Sequence, residues 1–167
     1  MIKVRLAGIV NDSIVDGPGI RMAIFFQGCK IGCPGCQNKE TWDINGGYLE
    51  EAENIVARWK KNPLLDGVTL TGGDPLLQKE AALFLLMEAK REGLNTCLYS
   101  GQTFESLIAL KDSLINGILK NTDYLVDGPF IESLKEGNLP YRGSSNQRII
   151  DVKLSLKAKE VVLFNPF

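Results

Sequence analysis

Three cysteines stand close together in one short segment, Cys29-Lys-Ile-Gly-Cys33-Pro-Gly-Cys36, whereas the fourth cysteine, Cys97, lies far away in the sequence. Closely spaced cysteine thiolates are the ligands that iron–sulfur clusters use in proteins. Three thiolates can hold three irons of a four-iron cluster and leave the fourth iron with an open coordination position. Because an open iron can take part in catalysis as well as electron transfer, the segment predicts a catalytic iron–sulfur centre.

A zinc site is the main alternative for these cysteines, and a redox-active dithiol is a further one. Structural zinc takes four ligands, commonly cysteine and histidine, and the chain contains no histidine. The fourth ligand would therefore have to be Cys97 or a carboxylate. Cys97 lies within an apolar strand pattern, where a cysteine is usually part of the core. We therefore expect Cys97 to be buried and to take no part in the site.

A glycine-rich turn, Gly72-Gly-Asp-Pro75, follows the short apolar segment Gly67–Thr71 and precedes a predicted helix. Two glycines without side chains allow the backbone to meet a ligand directly. Asp74 could accept a hydrogen bond from an ammonium group or cap the helix that follows. Gly28 and Gly35, which directly precede Cys29 and Cys36, suit a loop that wraps closely around a bulky group.

The composition excludes several other classes of function. The chain has 167 residues and a formal net charge of −1, which gives no electrostatic case for a nucleic acid or an anionic membrane as partner. No segment approaches the ~18 uninterrupted apolar residues of a membrane span. We therefore expect a cytoplasmic protein with reduced thiols. The absence of histidine removes histidine-based acid–base and nucleophilic catalysis.

Short apolar runs alternate with helical patterns along the chain, which predicts an α/β fold with a parallel sheet and helical crossovers. A complete eight-fold barrel needs ~250 residues. We therefore expect an open partial (β/α) barrel with residues 1–167 as a single domain. Sites in such folds form at the carboxyl ends of the strands. The predicted strands are Arg5–Val10, Met22–Gln27, Gly67–Thr71, Thr96–Ser100, Tyr124–Asp127, Arg148–Asp151 and Glu160–Phe164, and the predicted helical segments are Leu49–Lys61, Leu76–Arg91 and Thr103–Leu119, the last broken near Asp112.

The three-cysteine segment followed by a Gly-Gly-Asp turn resembles the radical S-adenosylmethionine (SAM) superfamily. Within it, Ser13-Ile-Val-Asp-Gly-Pro-Gly-Ile-Arg21 is typical of the glycyl-radical activating enzymes. The segments Phe25–Trp42, Tyr99–Phe104, Val126–Phe130 and Arg142–Gln147 extend the resemblance over nearly the whole chain. The sequence departs from many superfamily members at Gly35 and Gln37, where an aromatic residue, or a histidine after the third cysteine, is common.

The resemblance implies that Cys29, Cys33 and Cys36 are the catalytic metal ligands of a [4Fe–4S] cluster whose open iron is chelated by SAM. Reductive cleavage of SAM would give a 5′-deoxyadenosyl radical, which generates a glycyl radical on an anaerobic ribonucleoside-triphosphate reductase. A low-potential electron donor such as flavodoxin would supply the electron. The residues expected to contact SAM are Gly35, Cys36, Gln37, Gly72, Gly73 and Asp74.

Other assignments follow less directly from the resemblance. Asp127 is a weaker candidate for the same site, and Arg142–Gln147 would either close the site or contact the partner. Trp42 is expected in the core more than at a ligand. Two alternative functions remain open from the sequence: activation of another glycyl-radical enzyme, and a non-enzymatic iron–sulfur electron-transfer module.

Overall fold

A single mixed sheet forms the centre of the molecule. The structure, a computed structural model, describes residues 1–36 and 38–165. Seven strands are arranged in the order β3-β1-β2-β4-β5-β6-β7, and the sheet does not close, which confirms the expected open partial barrel. The strands are β1 (Lys3–Ser13), β2 (Arg21–Phe26), β3 (Tyr48–Glu51), β4 (Gly67–Gly72), β5 (Asn95–Ser100), β6 (Tyr124–Asp127) and β7 (Arg148–Asp151).

Five α-helices lie among these strands in the described part of the chain: α1 (Ala52–Trp59), α2 (Lys79–Arg91), α3 (Phe104–Ala109), α4 (Ser113–Lys120) and α5 (Val152–Ala158). Three short 3₁₀ turns cover Lys39–Thr41, Pro75–Leu77 and Glu132–Leu134. None of the helices within residues 1–36 and 38–165 is long and apolar enough to cross a membrane.

The central strands β2, β4, β5 and β6 run parallel, and their register separates the two faces of the sheet. Ile24 pairs with Leu70, Leu70 with Leu98, and Leu98 with Leu125, and all four are fully buried in the main hydrophobic core. Because successive side chains of a strand point to opposite faces, their neighbours in sequence occupy the other face.

That other face carries two rows of residues at different heights. The lower row is Ala23, Thr69, Cys97 and Tyr124, each paired with the next, and we call this row together with Arg21 the floor. Two residues further along each strand lies the upper row of Phe25, Thr71, Tyr99 and Val126. We call the carboxyl ends of these strands, with the segments that follow them, the mouth.

The edge strands are antiparallel, which the prediction of a parallel sheet with helical crossovers did not include. β1 pairs with both β2 and β3, and β7 pairs with β6. No α-helix lies in the connections between β1 and β2 or between β6 and β7. A parallel pair requires a crossover, so these connections place the neighbouring strands antiparallel.

Most predicted elements are confirmed, but the first predicted helix is partly wrong. Leu49 lies in the edge strand β3 with 55% of its surface exposed, and α1 starts only at Ala52. The predicted break near Asp112 is confirmed, since its carboxylate caps α4 by accepting from the backbone N–H of Leu114. The tail also pairs as expected, through a bridge between Ile150 and Leu163.

Candidate active site

The three clustered cysteines lie on the segment that leaves β2 at the mouth of the sheet. Cys29, Cys33 and Cys36 are half-buried free thiols, and all three line one cavity of about 670 Å³. The upper row of the sheet forms the base of the cavity through Phe25, Thr71, Tyr99 and Val126. The fold therefore brings the cysteine segment and the carboxyl ends of four strands to one opening.

Backbone hydrogen bonds hold the start of the cysteine segment on both sides. The N–H of Gly28 donates to the carbonyl of Thr41 (2.6 Å), and the carbonyl of Gly28 accepts from the N–H of Asp74 (2.8 Å). The side-chain amide of Gln27 adds two bonds, to the carbonyls of Glu40 and Asp43. Gly28 has φ +107°, which a residue with a Cβ rarely adopts. The segment is thus anchored directly before Cys29.

The surroundings of the thiols differ. Burial raises the pKa of Cys29, an effect opposed by hydrogen bonds from the backbone of Ile31 and Gly32. The N–H of Asn38 donates to Sγ of Cys36 (3.4 Å). Full burial raises the pKa of Cys97 to about 12, so Cys97 remains a protonated core residue as expected.

No three histidine, cysteine, aspartate or glutamate side chains within residues 1–36 and 38–165 are arranged to hold a metal ion. The thiolates of a four-iron cluster bind different iron atoms, so they need not converge on a single point. Thiolate donors suit iron–sulfur clusters, and the three free thiols share one cavity. By its donor set, the segment fits the expected cluster.

The two glycines of the Gly-Gly-Asp turn are required by close packing against the end of β2 and the cysteine segment. A Cβ at Gly72 would lie 2.6 Å from the backbone nitrogen and oxygen of Phe26, and φ at Gly72 is +97°. A Cβ at Gly73 would lie 2.3 Å from the carbonyl oxygen of Gly28. Both glycines also line the cavity. Their backbone therefore forms part of the wall beside the cysteines.

Asp74 lies behind this wall and is not among the cavity-lining residues. Its side chain is buried, and Oδ1 accepts from the N–H of Leu76 (3.0 Å) and from Oγ of Ser100 (3.5 Å). Burial raises the pKa of the Asp74 carboxyl, and the hydrogen bonds partly offset this effect. Asp74 therefore caps the 3₁₀ turn Pro75–Leu77 that precedes α2, whereas a contact between Asp74 and an ammonium group stays a prediction.

Asp127 is engaged by protein groups on both oxygens. Nε of Arg148 donates to Oδ1 (3.0 Å), Nη2 donates to Oδ2, and the N–H of Phe104 donates to Oδ2 (2.8 Å). Asp127 thereby accepts from the first residue of α3 and pairs with Arg148 of β7, and its bonds, followed by those of Glu105, raise the pKa of Arg148. Its neighbours Val126 and Gly128 line the cavity, but Asp127 does not.

The segment Arg142–Gln147 is both a structured turn and part of the cavity wall. Oε1 of Gln147 accepts from the N–H groups of Gly143 and Ser144, and Nε2 donates to the carbonyl of Gly128. Arg142, Gly143 and Gln147 line the cavity. The segment therefore closes one side of the mouth, as one of the two sequence interpretations expected.

Comparisons with known proteins identify the family of this chain. A family model described as "4Fe-4S single cluster domain" matches residues 15–150. The anaerobic ribonucleoside-triphosphate reductase-activating protein of Salmonella typhi is 37% identical over 142 residues, which cover 80% of this chain and 90% of that protein. The protein of the same name from Vibrio cholerae serotype O1 is 36% identical over 144 residues, which cover 81% of this chain and 90% of that protein. This chain belongs to the family of anaerobic ribonucleoside-triphosphate reductase-activating proteins.

More distant relatives of this activating-protein family also match. The pyruvate formate-lyase 1-activating enzyme of Escherichia coli K12 is 34% identical over 163 residues, covering 94% of this chain but only 64% of that enzyme. Among solved structures, QueE from Escherichia coli aligns with a TM-score of 0.48 and 18% identity over 60% of this chain and 53% of that chain.

Several cavity residues of this activating-protein chain were not singled out from the sequence. Tyr99 and Phe130 line the cavity, and Trp42 does so as well, although it was expected in the core. The period-two alternation that places Thr71 at the base could have identified Phe25 and Tyr99. Phe130 carries no comparable signal because it follows a strand end. Two predicted contacts remain. Gly35 is not among the described residues that line the cavity, and Gln37 lies outside the described residues.

Proposed function

We propose that this chain is the radical SAM activating enzyme of an anaerobic ribonucleoside-triphosphate reductase. The observation that carries the proposal is the opening of Cys29, Cys33 and Cys36 onto one cavity whose wall beside the cysteines contains the Gly72-Gly73 backbone. The relatives that match this chain over 90% of their length are named as activating proteins of this reductase.

We assign the residue roles accordingly. Cys29, Cys33 and Cys36 hold a [4Fe–4S] cluster through three irons, and the fourth iron is left for SAM. The proposed contacts with SAM come from two segments. The cysteine segment contributes Gly35, Cys36 and Gln37, and the glycine turn contributes Gly72 and Gly73. Asp74 lies directly behind the glycines, where its buried carboxyl favours the amino group of SAM electrostatically.

When bound, the cluster and SAM supply a low-potential electron and a 5′-deoxyadenosyl radical that takes a hydrogen atom from a glycine of the reductase. The chain itself supplies positioning and the exclusion of water. Phe25, Tyr99, Val126 and Phe130 give the cavity apolar surface, which limits the water that could compete with the reacting groups.

The same assignment implies a partner protein, an electron donor and a cellular location. The partner is the glycyl-radical subunit of the reductase, and a low-potential donor such as flavodoxin supplies the electron in the cytoplasm. Nucleic acids and membranes have no role in this scheme. Residues 1–167 act as one domain, because the mouth draws residues from the cysteine segment, three further strand ends and the segment before β7.

A second candidate is activation of another glycyl-radical enzyme, which the match to the pyruvate formate-lyase 1-activating enzyme over 94% of this chain favours. The two candidates differ only in the protein that delivers the glycine. Both require the same cysteines, so the test must include both partner proteins.

The test begins with anaerobic reconstitution of the full chain with iron and sulfide, followed by dithionite and SAM. We expect 5′-deoxyadenosine and methionine from the wild type but not from Cys36→Ala. Added reductase should acquire a glycyl-radical EPR signal, whereas pyruvate formate-lyase should remain without one. The reverse pattern would favour the second candidate, and a fully loaded cluster that cleaves no SAM even with reductase present would favour an electron-transfer module.

A further inference from the structure

Arg142 has a singular position in the cavity. Among the described residues that line it, Arg142 is the one lysine or arginine, and Asp16 is the one carboxylate. Arg142 lies on the segment before β7, whereas the cysteines lie on the segment after β2. The cavity wall formed by this segment therefore presents a positive charge to whatever the cysteine segment holds.

The guanidinium of Arg142 uses only part of its hydrogen-bonding capacity within the protein. Nη1 donates to the carbonyl of Gln147 (3.1 Å). Nε is buried and has no hydrogen-bond partner in the part of the chain that the structure describes. A buried donor without an acceptor costs free energy, and native proteins keep few of them. The Nε side of the guanidinium is therefore suited to an acceptor that arrives with a ligand.

The backbone around Arg142 is fixed in an unfavourable conformation. Tyr141 has φ +60°, which non-glycine residues adopt uncommonly and at a cost. Oη of Tyr99 donates to the carbonyl of Tyr141 (2.7 Å), and Oε1 of Gln147 accepts from the N–H of Gly143 (2.9 Å). These bonds on either side of Arg142 hold its backbone in place, and the bond of Nη1 to the Gln147 carbonyl anchors the guanidinium.

We propose that Arg142 binds the α-carboxylate of SAM through the edge formed by Nε and Nη2. This inference rests on the proposed function, because it takes SAM as the ligand of the cavity. The carboxylate is the only anionic group of SAM, whereas the sulfonium and the ammonium would repel an arginine. A guanidinium edge matches the two oxygens of a carboxylate, and such charge-assisted pairs are among the stronger hydrogen bonds. Arg142 is thus a specificity residue for the zwitterionic methionyl group.

The test measures binding rather than turnover. Cluster-loaded full-length protein is dialysed anaerobically against SAM and, separately, against decarboxylated SAM, which lacks the carboxylate. The variants are Arg142→Gln, Arg142→Lys and the control Arg91→Gln, since Arg91 is an exposed helix residue paired with Glu88. We expect Arg142→Gln to weaken SAM binding about ten- to hundredfold and to leave binding of decarboxylated SAM within about twofold. Arg142→Lys should fall between, and Arg91→Gln should match the wild type.

Iron content and the thermal unfolding midpoint establish that each variant is folded and loaded; if Arg142→Gln loses its cluster, Arg142→Lys carries the comparison. Equal weakening of both ligands, or no change in either, would overturn the inference. So would unchanged SAM binding combined with weaker binding to the reductase, because Arg142 would then face the partner. If the loaded wild type binds no SAM, the proposed function itself fails, which is distinguishable from a failure confined to the variants.

Discussion

The floor and the mouth of the sheet use the same residue types in opposite ways. At the floor, Arg21 is fully buried, and its three nitrogens donate to Thr69 Oγ1 and to the carbonyls of Pro18, Val68 and Asn95. At the mouth, Arg142 is half-buried and its Nε has no partner among the described residues. Cys97 at the floor is buried, whereas Cys29, Cys33 and Cys36 at the mouth are partly accessible.

This difference indicates where the molecule is built for stability and where it is built for ligands. A buried arginine whose three nitrogens all have partners ties neighbouring strands together and has little capacity left for further bonding. Partly accessible thiols can bind iron, and a partly accessible guanidinium can donate to a carboxylate. Neither has to break a bond within the protein first. Residue type alone therefore does not distinguish the two roles; the local supply of hydrogen-bond partners does.

The largest expected effect comes from removing thiols on the two sides of this comparison. Replacing Cys29, Cys33 or Cys36 by alanine should lower SAM cleavage more than roughly a hundredfold, because loss of a ligand is more severe than loss of the groups that support one. Cys97→Ala should retain activity. The measurement is 5′-deoxyadenosine formed per protein, beside iron content for all four variants. Full activity in any of the first three variants would contradict the ligand assignment, and loss of activity in a folded Cys97→Ala would contradict the assignment of Cys97 to the core.

A smaller effect is expected where the wall of the mouth is held together. Gly73→Ala should lower the free energy of unfolding by about 1–3 kcal/mol, because its Cβ would meet the Gly28 carbonyl at 2.3 Å and displace the anchor before Cys29. Iron retention should fall with it. Gly8→Ala in β1 is the matched control, since a Cβ there has nothing within 4 Å.

Urea unfolding of the two glycine variants measures the difference in stability, and anaerobic dialysis measures how much iron each retains. A Gly73→Ala protein as stable and as iron-loaded as Gly8→Ala would mean that the glycine turn does not hold the cysteine segment. The packing account of Gly73 would then be wrong.

The sequence predicts the parallel core of the sheet and the cysteine segment well because both depend on local signals. Alternation of apolar residues marks the strands, and the spacing of Cys29, Cys33 and Cys36 lies within one segment. The roles of Asp127 and Arg142 depend instead on partners brought together by the fold, such as the pair of Asp127 with Arg148 across β6 and β7. The edge strand β3 was missed because Leu49 fits the helical pattern of Ala52 and Ile55 equally well.

The smallest expected effect concerns Asp74, which is buried like the floor but stands directly beside the mouth. Asp74→Asn should keep the cap on Leu76, because asparagine caps helices about as well as aspartate, whereas Asp74→Ala should lose about 1 kcal/mol of stability. If the buried carboxyl attracts the amino group of SAM, Asp74→Asn should also weaken SAM binding severalfold, by about 1 kcal/mol. Unchanged SAM affinity in Asp74→Asn would restrict Asp74 to its capping role.

The pH dependence of stability provides an independent measure of the same carboxyl. Burial raises the pKa of Asp74 in the folded protein, so above its ordinary value of about 4 the folded state retains a proton that the unfolded chain has released. The protonated Asp74 carboxyl therefore contributes to the free energy of unfolding at low pH. This contribution is lost as the pH rises through the raised folded-state pKa. Asp74→Asn has no such proton, so its stability relative to the wild type should increase with pH from about 4 upward. Urea unfolding of both proteins between acid and neutral pH measures this difference, and parallel curves would show that burial does not perturb the carboxyl.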